Sequence, residues 1–204
     1  MKVYDFSVWL GVTDFIPVLL FGVSAVLLQR DLYDKMPKYA FACLAAGTVD
    51  AFLAGFLKAL WKLLYAIGCC DFQVLNAMFL PIQSLGLLLT GLGVLLMLYR
   101  RRAAMSVAPP VFTGSFVFIG MMVLGLGGLC WGLGALAVKL RKKALIPVFI
   151  LCFVTYMGMG YLSSRGDNSA AANWLEQGVN TLGMLLLLGG TLGLHKAGLR
   201  EYKL

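Results

Sequence analysis

Charge is in short supply in this chain: Asp, Glu, Lys and Arg together make up 13% of it, against 61% hydrophobic residues. So little polar surface cannot solvate a globule, which excludes a water-soluble domain and implies an integral membrane protein. Histidine occurs once, as His195, and HExxH, GxSxG and Cys/His ligand sets are absent. That removes the usual zinc, hydrolase and bis-histidine haem chemistries, so neither an enzyme nor a cofactor is expected. An intramembrane aspartyl protease would need two carboxylates in one site, and Thr48-Val49-Asp50 lacks the GxGD context of that chemistry. The five cysteines form no CxxC pair. Cys43, Cys130 and Cys152 fall in apolar stretches as small packing residues, and the adjacent Cys69 and Cys70 make a poor intrachain disulfide at a membrane edge.

What fills the chain instead is apolar sequence. Residues 8–28, 39–59, 75–98, 111–138, 144–162 and 171–194 are each about as long as a bilayer core is thick. They are rich in Leu, Ala, Gly and Phe with no alternation of polar and apolar residues, which excludes an outer-membrane barrel. The expected fold is all-α: a multi-pass bundle of six transmembrane helices in the cell membrane, one domain over residues 1–204. No small-residue cleavage site follows the first stretch, so it reads as a retained span. The net charge of +8 sits in juxtamembrane runs such as Arg100-Arg101-Arg102 and Lys139–Lys143, which serve orientation and lipid contact and argue against nucleic-acid binding.

Those runs conflict with each other. The basic loop at 30–38 and the run after the third stretch put the N-terminus outside, whereas Lys139–Lys143 and the tail with Lys196, Arg200 and Lys203 ask for the opposite parity. Either the 111–138 segment is re-entrant, broken around Gly125-Leu126-Gly127-Gly128, or the charge bias is weak. A weak internal match favours weak bias: Asn76–Leu98 laid over Asn173–His195 pairs Gln83 with Asn180, Ser84 with Thr181, Gly86 with Gly183 and Gly93 with Gly190. Two three-helix halves, 1–102 and 103–204, would then form an inverted repeat, a construction common in secondary transporters.

Only three carboxylates, Asp14, Asp50 and Glu176, fall within the stretches. An ionisable group in hydrocarbon is costly and marks function by default. Asp50, Gln83 and Asn180 lie near the centres of their stretches, with Thr48, Thr155 and Tyr156 at similar depth. Asn173, Glu176, Gln177, Asn180 and Thr181 recur at three- and four-residue spacing as one polar stripe, a pattern that serves either a site or helix-to-helix contact. Asp14, three residues before Pro17, reads equally as a helix cap or as part of a site. Pro17 and Pro81 free backbone carbonyls beside Asp14 and Gln83. Lys58, Trp61 and Lys62 read as an interfacial belt with snorkelling ammonium groups. Gly128 and Gly132, at GxxxG spacing, read as a packing surface.

These residues lead us to expect a small transporter or channel with a cation- or proton-linked site near the midplane, built from Asp14, Asp50, Gln83, Glu176, Gln177 and Asn180. Its partners would be a small cationic or polar solute, H+ or Na+, the bilayer, and in some cases a second copy of the chain. The alternative is a receptor, substrate-binding subunit or assembly partner that transports nothing and uses its polar residues for packing.

Overall fold

The computed structural model describes residues 6–99, 115–165 and 169–202. The first span is bent. Ser7 caps α1 (Val8–Thr13) by accepting a hydrogen bond from the Leu10 amide, and α2 (Phe15–Leu32) follows after Asp14. Pro17 has no N–H for the Thr13 carbonyl four residues earlier, which is why the helix breaks here. A short 3-10 turn (Tyr33–Lys35) leads into α3 (Lys38–Ala66). The third span is bent in the same way, α4 (Gln73–Ala77) giving way to α5 (Phe79–Tyr99) just before Pro81. Then come α6 (Ser115–Lys139), α7 (Ile146–Ser164) and α8 (Ala170–Lys196). Among the described residues six helical segments are long and apolar enough to cross a membrane, so the chain is a polytopic α-helical membrane bundle.

Apolar side chains gain little by leaving lipid for a helix partner, so small residues that let backbones meet decide which helices pair. Gly47 of α3 faces Gly86 and Thr90 of α5, and Gly93 of α5 faces Ala40 and Leu44 of α3. On the other side of α5, Gly91 meets Gly125 of α6, and Gly132 of α6 meets Val94. In α8, Gly183, Gly190 and Gly193 face Thr155, Phe149 and Leu145 across the α7 interface. Each span packs on its chain neighbours and α8 packs on α2, which closes a six-membered ring.

The same contacts fix direction. Residue numbers run oppositely across the α2/α3, α3/α5 and α7/α8 interfaces, where Val18 meets Gly55, Gly93 meets Leu44, and Phe149 meets Gly190. Across α5/α6 they rise together, from Leu87 at Gly125 to Val94 at Gly132, so these two spans are parallel. The α2/α8 pair is parallel too, with Gln177 at Thr13 and His195 at Asp31. Both halves therefore run in the same sequence of directions, and the expected inverted relation is not the one the structure has. The less favoured alternative, a re-entrant break at Gly125–Gly128, is not what the structure has either, α6 being continuous from Ser115 to Lys139.

Parallel halves remove the charge conflict, which came from assuming strict alternation. Lys35, Lys38, Lys139, Arg141, Lys142, Lys143 and Arg200 all lie at one end of the bundle, where α5 also finishes at Tyr99. The other end, where α1 begins, holds Lys58, Lys62 and Arg165 with Asp14, Asp71 and Glu176. The positive-inside rule puts the basic end in the cytoplasm. The run Arg100-Arg101-Arg102 and Lys203 lie outside the described residues. Trp131 donates to the Tyr99 hydroxyl, so α5 ends level with a point ~24 Å along α6 from its start.

Two outcomes follow from this packing. Single cysteines at Asp34 and Lys142 should react with an impermeant maleimide from the same side of the membrane, and the exposed native Cys69 from the other. Labelling of Asp34 and Lys142 positions from opposite sides would refute the parallel arrangement. Gly125→Ala places a methyl against the Leu87 backbone and should cost about 1–3 kcal/mol, seen as a lowered apparent Tm, while Gly189→Ala, which has open space, should not.

Candidate functional site

Where the glycine contacts stop, the ring widens. Toward the α1 end, α5 presents Phe79, Leu80 and Gln83 in place of its glycines, and a cavity of about 600 Å³ opens there, touched by all six spans. That volume is in the range of sites for small organic ligands. Its walls are largely apolar, with Val18 and Phe21 from α2, Phe52 from α3, Met122 from α6 and Met184 from α8.

Seven polar side chains line it: Tyr161, Ser163 and Ser164 from the last turn of α7, and Lys58, Gln83, Tyr156 and Asn180. Gln83 Nε2 donates to the hydroxyl of buried Tyr156 at 3.1 Å, while Gln83 Oε1 is the one buried side-chain N or O atom among the described residues without a hydrogen-bond partner. Asn180 lines the cavity beside them. Lys58 places its ammonium 3.9 Å from the centroid of the Phe79 ring, a cation–π geometry, and is the only Asp, Glu, Lys or Arg among the described lining residues.

A smaller crevice of about 50 Å³ adjoins the cavity, sharing Lys58, Phe79 and Asn180 with it. Asp14, Lys62, Glu176 and Gln177 complete its lining. Lys62 Nζ lies 2.9 Å from Asp14 Oδ2, with both side chains mostly buried. Gln177 Nε2 donates at 2.7 Å to the Thr13 carbonyl that Pro17 leaves open, which ties α8 to the bend in the first span.

The sequence-derived residues thus divide. Gln83 and Asn180 reach the cavity, whereas Asp14, Glu176, Gln177 and Asn180 gather at the crevice. Asp14 does not act as a side-chain cap for α2; its carboxylate goes to Lys62. Asp50 lines neither space. It is half-buried on the outer flank of α3, between exposed Val49 and Leu53, and makes no hydrogen bond or ion pair with the described residues. The interfacial reading of Lys58, Trp61 and Lys62 is corrected as well: both ammonium groups turn inward, and buried Trp61 donates from Nε1 to Asp71 at 3.0 Å.

Sequence reasoning also passed over a cluster at the basic end. Asp31 is buried and accepts from His195 Nδ1 at 2.8 Å and from Arg30 Nε at 3.3 Å, while Lys35 donates to the carbonyls of Arg200 and Tyr202. Asp31 falls just beyond the first apolar stretch, so nothing in the pattern singled it out. Comparison with protein-family models, curated proteins and solved structures gives no match.

The Asp14–Lys62 pair supplies a stability test. Asp14→Asn or Lys62→Met alone leaves one charge enclosed without a partner and should cost about 3–5 kcal/mol. The double variant should recover most of that loss in a detergent melt, and a double variant no better than either single would show that the pair is not coupled.

Proposed function

We propose that this protein is a small-solute transporter whose substrate sits in the central cavity, between two parallel three-helix halves. The observation behind this reading is that one cavity is lined by every span, so a ligand in it can touch both halves. Two halves rocking about a shared site is a common design of secondary transport, and parallel repeats serve it as inverted ones do. The matched positions of the halves support a repeat of the parallel kind. Gly86 and Gly183 each pack on the second span of their own half, against Ala51 and against Thr155 and Tyr156, and Gly93 and Gly190 do likewise against Leu44 and Phe149. Gln83 and Asn180, paired by the same match, both line the cavity.

In this reading Gln83, Tyr156 and Asn180 orient the substrate by hydrogen bonds, and Lys58 supplies the charge it meets. The neighbouring Asp14, Lys62 and Glu176 form a charged cluster beside the binding site. Asp50 belongs to the outer surface and takes no part in binding.

Access from the two sides of the membrane tests this without a known substrate. In a background with all native cysteines replaced, cysteines at Met122 and Met184 should react with impermeant thiol reagents added to either face, as alternating exposure requires. Reaction from one face only would refute transport and favour a ligand-binding receptor built on the same cavity.

A further inference from the structure

We infer that the ligand of the central cavity is an amphipathic organic anion, held with its acidic group at Lys58 and its apolar body among Phe21, Phe52, Met122 and Met184. The inference rests on the cavity being the binding site and adds what it binds. Among the described residues Lys58 is the one Asp, Glu, Lys or Arg on the cavity wall and forms no ion pair. No carboxylate among the described residues comes within ion-pair distance of it, although Asp14 and Glu176 share the adjoining crevice with it. The charges around it are Lys62, Asp14 and Glu176; Asp14 is taken by Lys62, and Glu176 lines the crevice but not the cavity.

An ammonium facing a low-dielectric space gains from an anion what water would otherwise supply. A cationic ligand would instead meet Lys58 head on, with no carboxylate on the cavity wall to receive it, so the cation expected from Asp14 and Asp50 does not suit this space. Tyr156, Asn180 and Gln83 fit an acid as well. Tyr156 accepts from Gln83 and keeps its own O–H to donate to a carboxylate or phosphate oxygen, and Asn180 offers an amide. The unpartnered Gln83 Oε1 suits a hydroxyl or N–H on the ligand. The aromatic and methionine walls accept an apolar body of varied shape.

Three probes of one shape and different charge decide the matter: phenylbutanoate, phenylbutanol and phenylbutylamine, titrated against the full chain in nanodiscs, with empty nanodiscs as the blank. The carboxylate should bind about tenfold more tightly than the alcohol, with the amine weakest. Lys58→Met should erase the preference for the carboxylate while leaving alcohol binding in place, and Lys58→Arg should restore it. Equal binding of the three probes, or tightest binding of the amine, would overturn the anion assignment yet keep the cavity as a ligand site. Absence of binding by all three would overturn both.

Discussion

Backbone-to-backbone contact along α5 is the constraint on which the rest of the structure depends. In hydrocarbon, apolar side chains gain little by meeting each other, so a helix is held by whichever neighbours come close enough for dense van der Waals packing. On α5, Gly86 and Gly93 admit α3 on one face and Gly91 admits α6 on the other. A methyl group at any of the three would meet backbone atoms of the partner, which cannot rotate away as a side chain can. With α5 pinned between α3 and α6, the direction of α6 is fixed, and through it the directions of α7 and α8. The parallel halves follow from this seam.

The seam also explains where the cavity lies. The glycines of α5 run from Gly86 toward the basic end, and over that length the helices close on a core of Leu44, Val94, Leu129, Leu133 and Leu187. Toward the α1 end the same helix carries Phe79 and Gln83, side chains too large for backbones to meet over, and the ring parts. Its two ends are then held by polar ties. Asp14–Lys62 and Gln177–Thr13 join the first span to α3 and α8 at one end, and Asp31–His195 joins the first span to α8 at the other. The α2/α8 contact, the second parallel seam, is thus made by side chains where α5/α6 is made by glycines.

How much of this was legible in the sequence depends on what kind of information each feature needs. Span number is a property of composition and length, and the six apolar stretches were readable directly. The packing role of Gly128 and Gly132 was readable too, because the spacing itself produces a flat face; the structure puts that face on α5, with Gly128 at Leu95 and Gly132 at Val94. Direction was not readable. Counting Lys and Arg found a contradiction, but resolving it required knowing that α5 and α6 are parallel, a long-range contact that no local pattern encodes. The facing of single polar residues was lost for the same reason. Asp50 and Lys58 are eight residues apart, which on a helix leaves them ~80° apart around the axis. That angle sends one to the outer flank and the other to the cavity.

Depth alone therefore misassigned the charge of the site. Asp50 is the deepest carboxylate in the chain and drew the functional reading, yet a carboxylate acts on an internal ligand only if neighbouring helices enclose it. The helices enclose Lys58 instead, because Gly55, three residues before it, lets α2 approach through Val18 and carries that face of α3 inward. Lys62, a turn further along, faces inward as well and meets Asp14 at the bend that Pro17 creates. Lys62 thus has a carboxylate at ion-pair distance, and Lys58, four positions deeper, meets Asp14 and Glu176 only at longer range. The proline that kinks the first span sets this imbalance by leaving Asp14 beside Lys62 and not Lys58. The polarity of the cavity is in this way decided at a helix bend outside it.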